Sequence, residues 1–455
     1  MSRLIAVSNR VEGVKAAPLA GGLAVALVDA LRETHGVWFG WSGSVQPTVA
    51  KQTRVQNADG FSLVTIDLTP QEYDAYYNGF ANRCLWPLFH FRMDLATYDR
   101  NEFEAYRRVN ARFAEALMPL LQPDDLIWIH DYHLFCLAAE LRRLGAKQRI
   151  GFFLHIPFPP RELLTTLPRH EELMRCLFEC DLVGFQTAGD VARFKTYMRH
   201  EAGGHGNGQT MEAYGRHLQV GRFPVGIDAE QFRSFAMSPR GEREFQRMKE
   251  VLHGRDQVIG VDRLDYSKGL LRRLTAFENM LERYPEAHGK IEYLQIAPIS
   301  RSEVDAYRDF RMELEQRAAH INGRFGQVDW TPLRYMNRAL SRRTLAAFYR
   351  ASRIGLVTPM RDGMNLVAKE YVAAQDPADP GVLVLSRFAG AAQQLKTALL
   401  VNPYDAAEVA DALEQARTMP LIERQRRHAL LLRNVMTADV TGWQRHFIDE
   451  LKKAA

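Results

Sequence analysis

The sequence has little cysteine and no long hydrophobic run, and each absence excludes a class of protein. Four cysteines in 455 residues are too few for a disulfide framework. Cys176 and Cys180 lie four apart, but no second Cys or His pair follows at zinc spacing, so we expect buried thiols here, as at Cys84 and Cys136. No run approaches about 18 apolar residues, so we expect no membrane-spanning helix. The start, MSRLIAVSNR, lacks the pattern of a signal peptide, so we expect a cytoplasmic protein.

The sequence also lacks a strong excess of charge of either sign. It has 59 basic and 54 acidic residues, and the net charge of +5 is spread along the chain. A basic face for nucleic acid is therefore not expected, although small anionic substrates are compatible with this balance. Apolar residues at 46% and charged residues at 25% are typical of a globular protein, and the length allows two or three domains.

Short apolar runs alternate with amphipathic stretches, which predicts repeated βαβ units and parallel sheets. We predict an α/β protein with two doubly wound Rossmann-like domains facing across a cleft. The first domain spans 1–227, rejoined by a C-terminal helix at 440–455, and the second spans 228–439. The predicted strands are 4–8, 125–130, 149–154, 182–185, 257–261, 291–296, 354–358 and 382–385. The predicted helices are 23–34, 103–121, 134–144, 270–284, 302–322 and 366–374.

Charged residues or histidines follow most of these strands directly. They include Arg10, His130–His133, His155, Asp262–Arg263, Ser300–Arg301, Arg361–Asp362 and Arg387. Any one of them could be a solvated loop, but together they predict a cleft lined by the carboxyl ends of two sheets.

Arg263 and Lys268 stand five residues apart between a strand and a helix, where both could reach one pyrophosphate. The alternative is a pair of surface cations. Neither a Walker A loop nor a GxGxxG fingerprint is present. The Gly21–Gly22 pair before the first helix predicts a turn of close approach. After Asp362 a second helix begins, and its N-terminus suits an anion.

Three further sets of residues remain open to more than one interpretation. Arg10 and Arg301 could hold a second anion or form structural ion pairs. Asp362 and Glu370, a D-x7-E pair, could bind sugar hydroxyls, favour the start of a helix, or act as a hydrolase acid–base pair. His130, Asp131 and His133 could bind a metal, but three ligands at one strand end rarely point the same way, so no metal site is predicted.

Many long motifs resemble one family. They are SNR, LAGGLAVAL, WFGWSG, YYNGFANRCLWPLFH, WIHDYHL, RIGFFLHIPFP, DLVGFQT, DRLDYSKGL, QIAPISR and TPMRDGMNLVAKEYVAAQ. They resemble the trehalose-6-phosphate synthases, retaining GT-B glycosyltransferases of family 20, and the similarity runs from end to end. The resemblance implies transfer of glucose from a nucleotide-glucose, usually UDP-glucose, to glucose 6-phosphate with retention of configuration. It also implies no metal cofactor and a homo-oligomer, often a tetramer. The charge balance and the lack of a long apolar run predict no nucleic-acid and no membrane partner.

The resemblance implies a role for each matching residue. Arg263 and Lys268 would hold the donor pyrophosphate and, with Asp362 and His155, form the catalytic set. The other donor-binding residues would be Gly21, Gly22, Leu340, Gly363, Met364, Asn365, Leu366, Val367 and Glu370, with Glu370 on the ribose. The acceptor-binding residues would be Arg10, Trp41, Tyr77, Trp86, Asp131 and Arg301, with both arginines on the phosphate.

Two departures from the family pattern bear on specificity. The loop 11–20 is about one residue shorter than in relatives, and position 340 is Leu where relatives have Phe, which leaves the choice of nucleotide open. Two alternatives also remain: a related transferase with another acceptor, such as glycerol 3-phosphate, and a regulatory subunit without catalysis. The intact sets of donor and acceptor residues favour the synthase.

Overall fold

The computed structural model describes residues 2–11, 22–48, 53–300 and 305–454. Gly21, Arg301 and most of the loop 11–20, all singled out by the sequence, lie outside these residues. The chain divides into two compact units. Unit 1 contains Met1–Pro224 and Thr441–Ala455, and unit 2 contains Val225–Val440.

Unit 1 is built on a nine-stranded sheet in the order β3-β4-β2-β1-β5-β6-β7-β9-β8. All pairs are parallel except the two at the edges, β3 with β4 and β8 with β9. Strand order reverses between β1 and β5, so a crevice is expected at their carboxyl ends. The strands are Leu4–Arg10 (β1), Val37–Val45 (β2), Arg54–Ala58 (β3), Phe61–Leu68 (β4), Leu126–His130 (β5), Arg149–Leu154 (β6), Leu182–Phe185 (β7), Thr210–Ala213 (β8) and Arg216–Arg222 (β9).

The helices of unit 1 connect these strands. They are Gly22–Glu33 (α1), Pro70–Glu72 (α2), Trp86–Phe89 (α3), Arg100–Leu117 (α4), Leu137–Arg143 (α5), Arg161–Leu164 (α6), His170–Leu177 (α7) and Ala188–Glu201 (α8), with a π-helix at Tyr73–Leu85 and 3-10 turns at Met118–Leu120 and Tyr132–Leu134. Local sequence sets their starts: Thr187 and Asp190 form a reciprocal capping box at α8. The π-helix was not predicted, and such helices are frequent at functional sites.

Unit 2 has a six-stranded, fully parallel sheet in the order β12-β11-β10-β13-β14-β15. Its switch point lies between β10 and β13. The strands are Asp256–Val261 (β10), Ile291–Ile296 (β11), Leu333–Met336 (β12), Ile354–Val357 (β13), Val382–Ser386 (β14) and Leu399–Val401 (β15). The helices are Ala229–Met237 (α9), Pro239–Leu252 (α10), Leu270–Arg283 (α11), Asp305–Phe325 (α12), Arg342–Ala351 (α13), Leu366–Ala374 (α14), Ala406–Thr418 (α15) and Leu421–Thr437 (α16), with 3-10 turns at Tyr266–Lys268, Pro285–Ala287 and Gly390–Gln393.

The last helix, Val440–Lys453 (α17), returns to unit 1. Phe447 stacks on Trp128 of β5 with ring centroids 4.6 Å apart. Two glycines of the sheet make room for it, because a Cβ at Gly151 or Gly184 would lie 2.7 Å from the Phe447 ring. Trp443 donates from Nε1 to the carbonyl of Phe223 at 3.1 Å. The helix therefore completes the core of unit 1.

The predicted strands and helices all exist where the structure describes them, with ends shifted by a few residues. The predicted helix 103–121 begins at Arg100, because Asp99 accepts bonds from the amides of Asn101 and Glu102, and it gives way to a 3-10 turn after Leu117. None of the helices within the described ranges is long and apolar enough to cross a membrane.

Candidate functional site

In unit 2, the turn between β10 and α11 carries Arg263 and Lys268. Asp265, fully buried, organises this turn by accepting bonds from the amide and hydroxyl of Ser267 at 2.9 and 2.8 Å. Gly269 closes it at a φ of +72°, and a Cβ there would meet the carbonyl of Thr358 at 2.5 Å. The turn is thus packed against the end of β13, while the Arg263 side chain is exposed.

Asp362 lies in the loop between β13 and α14, and its side chain connects this loop to the turn between β10 and α11. Lys268 Nζ contacts Asp362 Oδ2 at 2.6 Å, and Asn365 donates to the same oxygen at 3.0 Å. Both side chains of the ion pair are nearly buried, at 11% and 13% exposure. These contacts place a Lys–Asp pair at the point where the sheet topology predicts a ligand.

The N-terminus of α14 follows directly. Asn365 caps it from a positive φ of 71° and accepts a bond from the amide of Ala368. Gly390 packs so closely that a Cβ there would lie 1.8 Å from the carbonyl of Gly363. Met364, which belongs to the same loop, is buried. The first amides of the helix, starting at Leu366 and Val367, have no partner within it and therefore favour an anion.

Glu370, one turn into α14, is half-buried. Burial raises the pKa of its carboxyl to about 7, and the guanidinium of Arg342 opposes this shift. Arg342 begins α13 and stacks on Phe232 at 4.6 Å. Leu340, predicted to lie near the nucleotide base, comes two residues before Arg342. The carboxylate of Glu370 thus interacts with the guanidinium of Arg342. We define the unit 2 cluster as Arg263, Lys268, Asp362, Asn365 and Glu370.

The raised pKa of Glu370 predicts a pH-dependent stability. The pKa of Glu370 is about 7 in the folded protein and close to the ordinary value of 4.5 in the unfolded chain. The folded state therefore loses stability as the pH rises from 4.5 to about 7. Glu370→Gln should therefore raise the free energy of unfolding at pH 8 by about 1–2 kcal/mol, with a gain that shrinks toward pH 5. Urea denaturation without nucleotide measures this, with Glu250→Gln on exposed α10 as control. An equal effect at both pH values would contradict the expectation.

In unit 1, Arg10 ends β1 beside the neighbouring strand β2. Its guanidinium lies 5.9 Å from the ring centroid of Trp41. Gly43, at a φ of +87°, leaves room for it, since a Cβ there would lie 2.8 Å from the Arg10 Nε. Trp41 is buried and donates from Nε1 to the carbonyl of Ser44 at 2.7 Å. The arginine is therefore held at the edge of the crevice predicted for unit 1.

Aromatic rings line the same region. Tyr77, on the π-helix, stacks on His133 with centroids 5.8 Å apart at 11°, and it also contacts Trp41 at 5.7 Å. Trp86 is buried against Tyr132 at 5.6 Å. Stacked rings of this kind present a flat apolar wall with polar edges, which suits the face of a sugar.

Asp131 and His155 follow neighbouring strands, β5 and β6. Asp131 adopts a positive φ of 75°, and its Oδ1 accepts the backbone amide of His155 at 3.2 Å. Burial lowers the pKa of His155 to about 3, so this imidazole is neutral. We define Arg10, Trp41, Tyr77, Trp86, Asp131 and His155 as the unit 1 cluster.

The structure brings together side chains that the sequence did not connect. Arg273, in the first turn of α11, is fully buried and pairs with Asp262 at 2.7 Å. It also donates to the carbonyl of Lys268 at 3.0 Å and to the hydroxyl of Thr358 at 3.1 Å. A buried arginine in a helix has no distinct sequence signal, although Asp262 at a strand end was visible.

The structure also shows what the histidines and cysteines do. His133 stacks on Tyr77, and within the described parts of the chain no group of three or more His, Cys, Asp or Glu is arranged to hold a metal ion. All four cysteines are free thiols. Cys176 is only half-buried, which corrects the expectation for that residue, and its Sγ lies 3.2 Å from the Sγ of Cys136.

Comparison with known proteins covers the whole chain. The family model of glycosyltransferase family 20 matches residues 6–453. A trehalose-6-phosphate synthase of Enterobacter sp. is 48% identical over 100% of this chain and 96% of its own. A crystal structure of an α,α-trehalose-phosphate synthase (UDP-forming) from Burkholderia vietnamiensis matches with a TM-score of 0.97 and 50% identity, covering 100% of this chain and 99% of that one.

A second structure, the UDP-forming enzyme from Burkholderia xenovorans in complex with glucose-6-phosphate, matches with a TM-score of 0.95 and 49% identity, covering 99% of this chain and 100% of that one. The predicted GT-B fold class, with two Rossmann-like domains, is confirmed by these likenesses. On the match along nearly its full length, the chain belongs to glycosyltransferase family 20.

Proposed function

We propose that this protein is an α,α-trehalose-6-phosphate synthase that transfers glucose from UDP-glucose to glucose 6-phosphate with retention of configuration. The observation that carries the proposal is the Lys268–Asp362 pair beside the α14 N-terminus, at the switch point of unit 2. Its relatives are UDP-forming synthases, and one of them was crystallised with glucose-6-phosphate.

The unit 2 cluster would bind the donor. Arg263, Lys268 and the first amides of α14 are cationic or hydrogen-bond donors, which match a diphosphate. They would stabilise the negative charge that develops as UDP leaves, so we propose that no metal cofactor is needed. Asp362 would hold the transferred glucose, and Glu370 would accept bonds from the ribose hydroxyls.

The unit 1 cluster apart from His155 would bind the acceptor, whereas His155 would hold the transferred glucose together with Asp362. Arg10 would hold the phosphate, with Arg301 as a second expected cation, while Tyr77, Trp86 and Asp131 would contact the sugar. The anomeric hydroxyl oxygen of glucose 6-phosphate forms the new bond to the donor C1. The bond from C1 to the phosphate oxygen breaks, and the hydroxyl proton passes to the leaving phosphate. No nucleophile of the enzyme forms a covalent intermediate.

The test is an assay of nucleoside diphosphate release in the presence of a chelator. UDP-, ADP- and GDP-glucose are each supplied with glucose 6-phosphate, with glycerol 3-phosphate, or with no acceptor. We expect UDP release that requires glucose 6-phosphate and survives chelation. Release with glycerol 3-phosphate instead would assign another acceptor, and no release with any donor would favour the regulatory alternative. A homo-oligomer and a cytoplasmic location remain predictions beside this proposal.

A further inference from the structure

His130 is the last residue of β5, His155 directly follows the neighbouring strand β6, and the two rings contact each other. The His130 Nδ1 lies 3.1 Å from the His155 Nε2, and the two rings are 5.4 Å apart at 27°. His130 is 1% exposed. His155 is partly exposed, so we expect His155 and not His130 to contact a substrate, and His130 to act through it.

This hydrogen bond contains one proton. Burial holds the pKa of His130 well below its ordinary value and lowers the pKa of His155 to about 3, so both rings are neutral. A neutral imidazole has one N–H and one lone pair, so one ring donates and the other accepts. Either His130 donates from Nδ1, or His155 donates from Nε2.

The surroundings of His130 decide between these two arrangements. If His155 donated, the proton of His130 would sit on its Nε2, which is buried and has no hydrogen-bond partner among the described residues. The ring centroids of Trp128 and Trp443 lie 4.5 and 6.5 Å from that of His130. An indole nitrogen only donates hydrogen bonds, so neither tryptophan could accept a proton from the His130 Nε2. A buried N–H without an acceptor is rarer in proteins than an under-used acceptor. His130 therefore donates from Nδ1, and its Nε2 is a lone pair.

We propose that His130 is a positioning residue that fixes His155 in the tautomer protonated on Nδ1. With Nε2 occupied by His130, the ring nitrogen left for a substrate is Nδ1, and it can only donate. His155 then acts as a hydrogen-bond donor to a sugar oxygen and not as a base. This inference rests on the proposed function for its catalytic meaning, but the tautomer itself does not.

The tautomer can be measured without any activity. The full chain is labelled with ¹⁵N in the histidine rings, and NMR spectra are recorded near pH 7.5. Signals of the two residues are assigned by their loss in His130→Asn and His155→Asn. We expect His155 to show a protonated Nδ1 and an unprotonated Nε2. The reverse pattern, or a doubly protonated His155, would overturn the proposal.

Kinetics test its consequence. His130→Asn keeps an N–H close to the position of Nδ1, whereas His130→Leu has similar bulk and no donor. We expect His130→Asn to keep kcat within about threefold and His130→Leu to lose about ten- to a hundredfold, since a misplaced catalytic contact has effects of this size. The KM for glucose 6-phosphate should change little in either variant.

Equal kcat values in the two folded variants would overturn the positioning role. Circular dichroism and thermal melts show whether both variants fold, and the wild-type tautomer decides the proposal if His130→Leu does not. If the wild-type protein released no UDP while His155 showed the expected tautomer, the proposed function would fail and the hydrogen-bond assignment would stand.

Discussion

Replacing Arg263 by alanine should lower turnover by about two orders of magnitude or more while leaving the fold intact. Its side chain is exposed at the carboxyl end of β10, so its removal creates no cavity in the core of unit 2. Under the proposed function, the guanidinium interacts most strongly with the leaving diphosphate. The measurement is kcat for UDP release at saturating concentrations of both substrates.

The matched control is Arg247→Ala, which removes an exposed arginine from α10 in the same unit. Its turnover should equal that of the wild-type protein. Normal kcat in Arg263→Ala would show that Arg263 does not have the assigned role. Lys268 is less suitable for this test, because its loss would also leave the nearly buried carboxylate of Asp362 without its ion-pair partner.

The second large effect is expected at Arg273. Arg273→Met should lower the free energy of unfolding by about 3–5 kcal/mol, since it leaves the buried carboxylate of Asp262 without a partner. Burial already raises the pKa of Asp262, and Arg273 and Lys268 oppose that shift. Chemical denaturation of the full chain measures the loss. The neighbouring, exposed Arg272→Met is the control and should have little effect.

A double variant separates the ion pair from the packing. Asp262→Asn together with Arg273→Met removes both charges, so it should be more stable than Arg273→Met alone. Because Arg273 also binds the Lys268 carbonyl and Thr358, the surviving enzyme should have a raised KM for UDP-glucose. If Arg273→Met and Arg272→Met proved equally stable, the buried pair would not have the importance that we infer.

The sequence reveals the central strands of both sheets, β1, β5, β6 and β7 in unit 1 and β10, β11, β13 and β14 in unit 2, because they are short, apolar and followed by polar residues. It misses β2 and β4, although both are largely buried, and also β9, β12 and β15. It does not reveal β3, whose residues Arg54–Ala58 are mostly exposed at the sheet edge, nor the antiparallel β8. β3 buries little apolar surface, so it lacks the hydrophobic pattern that identifies a strand. β8 buries Met211 and Ala213, but four residues are too few for an alternating pattern to stand out.

The candidate site shows the same limit. Sequence position places Lys268 and Asp362 after strands, but only the structure shows their ion pair at 2.6 Å. Arg272 and Arg273 are adjacent and chemically identical, yet one is exposed and the other fully buried. A helix turns about 100° per residue, and which face meets the sheet depends on packing across the whole unit.

The return of α17 to unit 1 has a consequence for folding during synthesis. Domains generally fold as units in the order in which they leave the ribosome. The sheet of unit 1 is complete at Arg222, but Phe447 and Trp443, which cover Trp128, are made only after all of unit 2. Until then the groove formed by Gly151 and Gly184 exposes apolar surface. Unit 2 can therefore reach its native state first. Unit 1 cannot complete its core until α17 is synthesised, more than 200 residues after the last strand of its sheet.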